Sequence, residues 1–313
     1  MLGSHRSSLA EIAPTSVGID PLMLAGTDLL VVGFAFVTLL GDAWFLLAGL
    51  SLCYWFGPRL DESARPAAAT AVGFATLALA VVLALKSFTA IPRPPAVPTN
   101  PAELPALVGP FVAGEIDSSG FSFPSGHATG STAVYGALGV LLAVGRRRRR
   151  YLLAGTVIVL VSFSRVVLQV HYLRDILAGM ALGGVLLLVG LRVARGDDPL
   201  RPAHLRPDRV FLLAGVAALA GFGIALWAGH PDEIRQGAIG VGTAVGGVLT
   251  WRRFGDRLPA APSVPPLWAA VGLLVAGGLW VAAYVGVFPL VGAALASAGG
   301  VAITLGLPLL ARR

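Results

Sequence analysis

Long apolar runs separated by short polar stretches dominate the chain. An α-helix needs about 20 apolar residues to cross a bilayer, and runs of about this length recur from Leu22 to the C-terminus. The first stretch, Leu22 to Phe56, is long for one straight helix and short for two, with Gly41-Asp42 as its only hinge. One or two crossings there remain open. The predicted spans are Leu22–Leu40, Asp42–Phe56, Pro66–Leu85, His127–Gly145, Tyr151–Val170, Ile176–Leu191, Val210–Gly229, Ile234–Trp251, Leu267–Phe288 and Leu290–Leu310.

A long connection interrupts the pattern between the third and fourth runs. Residues 92–124 contain eight prolines, which exclude a continuous helix. Loops of this length inside a compact domain usually serve as lids or binding loops. We therefore expect residues 94–123 to form a lid or lateral gate over a site.

Composition supports a membrane protein. The 313 residues are 56% hydrophobic and 12% charged, against about 25% charged residues in a soluble domain. The net charge of +7 would suit nucleic acid, but the arginines fall between apolar runs, as in cytoplasmic loops, so no nucleic-acid partner is expected. The single cysteine, Cys53, excludes an internal disulfide, and the polar start of the chain predicts no signal peptide.

The positions of the basic residues predict the orientation in a cell membrane. With the segment before Pro66 in the cytoplasm, most basic residues lie inside, including Arg59, Arg65 and the five consecutive arginines at 146–150. This arrangement predicts a multi-pass protein of the cell membrane. The basic residues left outside need a reason beyond topology, and they are Lys86, Arg93, Arg165, Arg174 and Arg235.

Three polar segments lie at the outer ends of the predicted spans. They read KSFTAIPRPP (residues 86–95), FPSGH (123–127) and SRVVLQVHYLRD (164–175). Because the spans alternate in direction, all three segments reach one face of the membrane. The bilayer penalises a cation by roughly 2.5–3.5 kcal/mol at its centre, and a tetrahedral oxyanion would offset that penalty for Lys86, Arg93 and Arg165.

The remaining side chains in these segments suit phosphoryl chemistry. Ser125 and Gly126 precede a predicted helix start, where backbone N–H groups bind anions. His171 and Asp175 are four residues apart, so the carboxylate can accept the Nδ1–H bond and leave Nε2 as a nucleophile. His127 can protonate a leaving oxygen. No motif in the sequence indicates a metal site.

Together, K-x6-RP, PSGH and SR-x5-H-x3-D resemble the three-part signature of the type 2 phosphatidic acid phosphatase family, whose members include membrane lipid phosphatases related to vanadium haloperoxidases. The resemblance covers about Leu22 to Leu191. It implies that His171 forms a phosphohistidine, that Asp175 orients His171 and that His127 is the general acid. It also implies that no metal or other cofactor is needed, and that the phosphate oxygens are held by Lys86, Arg93, Ser125, Gly126 and Arg165.

We predict an all-α polytopic membrane protein with a six-helix phosphatase core and a four-helix C-terminal transmembrane extension. The predicted organisation is a core over residues 1–195, a cytoplasmic linker over 196–208 and an extension of unknown role over 209–313. Any homo-oligomer would form through the C-terminal spans. Asp42, Glu103, Glu115 and Asp117 lie on the predicted outer side. They are interpreted as solvated loop charges, with a place lining the entrance to the site as the alternative. His204 and His230 receive no role.

The predicted function is removal of a phosphate from a lipid phosphate, with the site on the extracytoplasmic face. A polyprenyl diphosphate, phosphatidic acid and phosphatidylglycerol phosphate all fit. A phosphotransferase that uses the same site and an alcohol acceptor is an alternative within enzymes. A transporter or flippase is the alternative from another class, although the C-terminal spans show neither an internal repeat nor the midplane polar residues typical of transporters.

Overall fold

The structure is a computed structural model that describes residues 21–95, 98–117, 119–195 and 205–311. In these ranges the chain forms eleven α-helices and no β-strand. The helices are α1 (Pro21–Thr38), α2 (Ala43–Phe56), α3 (Ala64–Thr89), α4 (Gly109–Glu115), α5 (Gly126–Leu141), α6 (Arg147–Val167), α7 (Leu173–Arg195), α8 (Pro207–Ala228), α9 (Pro231–Phe254), α10 (Pro266–Tyr284) and α11 (Leu290–Leu310).

The prediction of an all-α polytopic membrane protein is confirmed. Each of the ten predicted spans corresponds to a helix, and α4 is the additional short helix within the proline-rich loop. Six helices of the described chain, α3, α6, α7, α8, α10 and α11, are long and apolar enough to cross a membrane. Helix α5 has 16 residues, or about 24 Å, and ends at Leu141 rather than at Gly145. Helix α9 is rich in glycine and is not among these six helices.

The first apolar stretch is bent where the sequence predicts a hinge. Residues Asp28–Gly41 and Ala43–Arg59 meet at 53°, and Leu39–Gly41 forms a short 3-10 turn before Asp42. This arrangement fits a broken span and equally a re-entrant segment, so the number of crossings stays open. The bend places Asp42 between two helices rather than within one.

Helix α3 lies at the centre of the bundle. It packs against α2 and α5 of the predicted core and against α8 of the extension. Gly221 of α8 approaches so closely that a Cβ there would lie 3.2 Å from the Ala80 carbonyl oxygen of α3. One buried apolar cluster contains Phe74 of α3, Phe211 of α8 and Leu305 of α11. The boundary at 196–208 stays a prediction, and residues 196–204 lie outside the described ranges.

Arg65 departs from its predicted role as a cytoplasmic loop charge. The side chain is fully buried at the N-terminal end of α3. Its Nη1 donates to the Leu258 carbonyl oxygen at 2.8 Å, and its Nη2 donates to the Pro262 carbonyl oxygen at 2.9 Å. A buried guanidinium is stable only with such partners. Arg65 therefore ties α3 to the connection between α9 and α10.

Candidate active site

Backbone hydrogen bonds join the three signature segments. The Ser122 amide donates to the Ile91 carbonyl oxygen at 2.7 Å, next to an isolated antiparallel bridge between Pro92 and Phe121. The Ser125 amide donates to the Asp175 carbonyl oxygen at 3.1 Å. These hydrogen bonds bring the two ends of the proline-rich loop together beside the start of α7. The predicted convergence of these segments is observed.

Two left-handed residues end the helices that carry the signature cations. Ala90 has φ 47° and terminates α3 just after Lys86, and Gln169 has φ 55° and follows the end of α6 just after Arg165. These are the two non-glycine residues with positive φ within the described residues. Such backbone strain costs about 1–3 kcal/mol and concentrates at functional sites. Each of the two residues lies four positions beyond a signature cation, Lys86 or Arg165.

His171 lies in the short connection before α7, not on the helix itself. Its side chain is 2% exposed, and Nδ1 lies 3.7 Å from Asp175 Oδ2, which is longer than a hydrogen bond. The Asp175 Oδ2 instead accepts from Ser122 Oγ and from the Tyr172 amide at 2.9 Å. The predicted Nδ1–H bond to Asp175 is therefore not formed in this structure, although the two groups are adjacent.

The electrostatic surroundings keep His171 neutral. Burial lowers the pKa of His171 well below its ordinary value, and the charges of Lys86, Arg165 and Arg93 lower it further. These three cations are the ones that the sequence singles out. Because only the neutral imidazole has a lone pair, the surroundings favour the nucleophilic form of His171.

The start of α5 has the form predicted for an anion site. Ser125 is the N-cap residue, and its Oγ accepts weakly from the Ala128 amide at 3.4 Å. Gly179 of α7 packs against this turn, since a Cβ there would lie 2.7 Å from the Ser125 carbonyl oxygen. Close helix packing at Gly179 thus holds the N-terminus of α5, including Gly126, beside His171 and Asp175.

Asp42 is largely buried against His127, so its interpretation as a solvated loop charge is wrong and the alternative, a place at the entrance to the candidate site, fits the structure. Its Oδ1 lies 2.7 Å from His127 Nε2, and the two side chains are 15% and 21% exposed. The helix break at Gly41 makes this contact fit, because a Cβ on Gly41 would lie 2.8 Å from His127 Cδ2. The sequence does contain a signal for this position, because Asp42 is an acidic residue at the single break in the apolar stretch from Leu22 to Phe56.

Glu115 is also wrongly interpreted as solvated. It ends α4, and its Oε2 lies 3.4 Å from Arg165 Nη1, which also donates to Thr38 Oγ1 at 2.8 Å. Burial and the neighbouring Asp42 charge raise the pKa of Glu115, and Arg165 opposes the shift. Helix α4 therefore brings the proline-rich loop into contact with the cations, in agreement with a lid.

The other two predicted cations lie at the same end of the bundle. Arg93 Nη1 donates to the Asp117 carbonyl oxygen at 2.8 Å, and Lys86 lies in the last turn of α3. Among the described residues, Arg93 Nε and Arg165 Nε are buried without a hydrogen-bond partner. Unpaired buried donors are costly, so both guanidinium groups have capacity for an anion.

Asp42, Glu115 and His127 each present one ligand atom within 4.8 Å of the others. Their geometry admits a metal ion, which no sequence motif indicates. The positive charge of Arg165 already neutralises Glu115 at 3.4 Å, and a divalent cation would have to compete with it. We therefore interpret the three groups as an acid–base cluster.

The extension also reaches this end of the bundle. His230 precedes α9, and its ring lies 4.7 Å from the Phe121 ring between centroids. Glu233, in the first turn of α9, is close enough to act electrostatically on Lys86. The sequence predicted no role for His230, because aromatic contacts between distant loops leave no trace in spacing.

Comparison with known proteins supports the signature. Residues 67–197 match the model of the PAP2 superfamily. This part of the chain is similar to that family. It contains every residue of the three signature segments, and it ends before α8, so the match leaves α8–α11 outside. The resemblance inferred from the motifs is confirmed.

A similar protein is phosphatidylglycerophosphatase B of Bacillus subtilis (strain 168), which is 36% identical over 88 residues. The alignment covers 26% of this chain and 43% of that protein, so the chain matches less than half of its relative's length. No solved structure matches the chain.

Proposed function

We propose that the protein is an integral membrane lipid phosphatase that acts through a phosphohistidine at His171. The observation that carries the proposal is the placement of a buried, neutral histidine among three cations, Lys86, Arg93 and Arg165. Similarity to the PAP2 superfamily and to a phosphatidylglycerophosphatase supports a lipid phosphate as the substrate.

In the first step, His171 Nε2 attacks phosphorus, and the bond to the leaving oxygen breaks. The cations and the amides at the start of α5 stabilise the charge on the equatorial oxygens. Asp175 lies 3.7 Å from His171 Nδ1, and a small closure on substrate binding would form the bond that stabilises the charged intermediate. Hydrogen bonds of this kind often shorten only in the complex.

His127 supplies the proton to the leaving oxygen. Asp42 accepts from Nε2 at 2.7 Å, and its charge opposes the burial and the Arg165 charge that disfavour the imidazolium. Once the ring is protonated, Nδ1–H is the donor to substrate. After the lipid alcohol or lipid phosphate departs, water attacks the phosphohistidine and His127 takes its proton. Release of inorganic phosphate returns His171 to the neutral form.

The proposed orientation places this site on the extracytoplasmic face, as the arginine distribution favours. The proposed organisation retains the core over 1–195, the linker over 196–208 and the extension over 209–313. A polyprenyl diphosphate, phosphatidic acid and phosphatidylglycerol phosphate remain the candidate substrates, because one oxyanion pocket accepts the terminal phosphate of each.

The test is phosphate release by purified, EDTA-treated protein from these three lipids. We expect release by the wild type and by His204→Ala, which is a matched histidine substitution at a position without a proposed role. We expect none from His171→Ala, and we expect acid-labile, base-stable radiolabel on the wild type after rapid quenching. Loss of activity on EDTA treatment would instead assign a metal to Asp42, Glu115 and His127.

A parallel reaction with added glycerol separates hydrolysis from transfer. Hydrolysis yields inorganic phosphate whether or not the acceptor is present. Formation of glycerol phosphate at the expense of inorganic phosphate would replace the hydrolase with a phosphotransferase. Absence of both products from folded wild-type protein would refute the proposal.

A further inference from the structure

A large apolar cavity lies between the family core and the C-terminal helices. Its volume is about 560 Å³, within the ~300–1,000 Å³ range of small-molecule sites. Helices α2 and α3 form one wall, and α9 and α10 form most of the other. Since α9 and α10 lie beyond residue 197, the family match does not account for this cavity.

The cavity adjoins the candidate active site through Asp42. This residue lines the cavity, and its Oδ1 holds His127 Nε2 at 2.7 Å. In the proposed reaction, His127 protonates the oxygen that stays attached to the lipid. The hydrocarbon part of the substrate must therefore leave the phosphate on the His127 side, which is the side where the cavity begins.

The cavity runs from the outer end of the bundle toward its middle. Its lining extends from Leu83 to Thr76 along α3 and from Gln236 to Thr243 along α9. Seven residues of helix correspond to about 10 Å. At the inner end, Trp280 Nε1 donates to Thr243 Oγ1 at 3.3 Å, which satisfies both polar groups and leaves an apolar surface.

The outer end has the side chains of a membrane interface. Trp44 is 60% exposed and Tyr284 is 63% exposed, and both line the cavity. Tryptophan and tyrosine concentrate at headgroup depth. A chain entering here would pass from the headgroup region into the protein beside Asp42.

We propose that this cavity binds a hydrocarbon chain of the lipid substrate, and that the C-terminal extension thereby sets chain preference. The inference rests on the proposed function for the identity of the headgroup. A lipid tail moves into the cavity from a bilayer that is equally apolar, so the walls distinguish chains by how well they pack. The wall formed by α9 and α10 therefore distinguishes chains by length and shape. A bilayer lipid held permanently as a structural component is the rival occupant.

Ile239→Trp narrows the cavity from the α9 side, and Val245→Trp adds the same bulk at an exposed position of α9 that does not line it. The measured quantity is the ratio of kcat/KM for a long-chain lipid phosphate to kcat/KM for a soluble phosphomonoester. We expect Ile239→Trp to lower this ratio about tenfold, comparable to the ~10–200-fold discrimination of apolar pockets. We expect Val245→Trp to keep it within twofold.

An unchanged ratio in Ile239→Trp would overturn the proposal, whether both rates persist or both fall together. The latter outcome, combined with a lower Tm, is what a permanent structural lipid predicts. A milder variant, Ile239→Ala, guards against misfolding and should change the ratio in favour of bulkier chains.

A second measurement does not depend on turnover. A lipid phosphate with a photoactivatable group in its chain is added to His171→Ala, and labelled peptides are identified. Label on α9 or α10 would support the cavity as the chain site, even if the wild type shows no hydrolysis and the proposed phosphatase function is refuted. Label confined to α1–α7, with hydrolysis intact in the wild type, would refute the cavity as the chain site and leave the phosphatase standing.

Discussion

The two ends of α3 each carry a cation, and their surroundings differ. At the N-terminal end, Arg65 is fully buried, and carbonyl oxygens of Leu258 and Pro262 accept its hydrogen bonds. At the C-terminal end, Lys86 lies near Arg93 and Arg165, whose Nε atoms are buried without a partner in the described part of the chain.

This difference separates a structural cation from a binding cation. A buried charge that is saturated by main-chain oxygens stabilises one arrangement of helices. Clustered cations with unused donors repel one another and are costly until an anion arrives. The same helix therefore contributes to folding at one end and, in our proposal, to phosphate binding at the other.

Arg165→Gln alters the cation cluster near Lys86 and should have the largest effect on activity. Removing one donor to the developing charge is expected to lower kcat/KM by about 10²–10³-fold. Thermal stability should fall less than in Arg65→Met, because the variant loses the contacts of Arg165 with Thr38 and Glu115 but also removes a repulsive charge. Phosphate release and a melting curve in the same detergent measure both. A large fall in Tm with normal residual kinetics would show that Arg165 is structural.

Arg65→Met should have the opposite profile. Each buried carbonyl oxygen left without a donor costs about 1–3 kcal/mol, so the Tm should fall clearly, whereas kcat/KM per folded molecule stays at the wild-type value. Arg59→Met, at an exposed arginine nearby, is the matched control and should melt like the wild type. Equal Tm values for the two variants would contradict the role of Arg65.

Asp42→Asn tests the contact between Asp42 and His127, and we expect an intermediate effect on activity. The substitution keeps the shape but removes the charge that stabilises protonated His127, so we expect kcat to fall about 10–100-fold, short of the ~10²–10⁴-fold contribution of a general acid itself. KM should change less than kcat. A substrate with a good leaving group, such as a nitrophenyl ester, should recover most of the loss; no recovery would argue against leaving-group protonation.

The pH dependence of kcat/KM also tests the cation cluster, and here we expect the smallest of the four effects. Since burial and the cations lower the pKa of His171, its neutral form persists below the ordinary histidine pKa of about 6.5. The acidic limb of kcat/KM should therefore lie below pH 6.5. In Lys86→Met the limb should move upward in the residual activity, because one of the charges that disfavour imidazolium is gone. If the acidic limb of kcat/KM lies at the same pH as in the wild type, the charge of Lys86 does not act on His171.

The sequence predicted the helices and the signature residues because both depend on local signals. Apolar run lengths reflect bilayer thickness, and Lys86, Arg93, His127, His171 and Asp175 stand at fixed spacings within three short segments. Alternation of spans then places those segments on one face. The convergence of the segments around the start of α7 agrees with this reasoning.

The sequence could not predict contacts between separate segments. Asp42 reads as a loop charge until the bend at Gly41 brings it to His127, and Glu115 reads as solvated until α4 folds it against Arg165. Arg65 fits the arginine distribution that predicts the orientation and is nevertheless buried. Whether a charge faces water or a partner depends on helix packing, and run length and spacing do not encode that packing.

The carbonyl cage around Arg65 limits how this protein can be dissected. The accepting oxygens belong to the α9–α10 connection, some 190 positions further along the chain, so removing the last four helices would strand a guanidinium in an apolar interior. We therefore expect a truncated version with α1–α7 to need a neutral residue at position 65 before it can be expressed. The four C-terminal helices are thus a condition for the stability of α3, the central helix of the bundle.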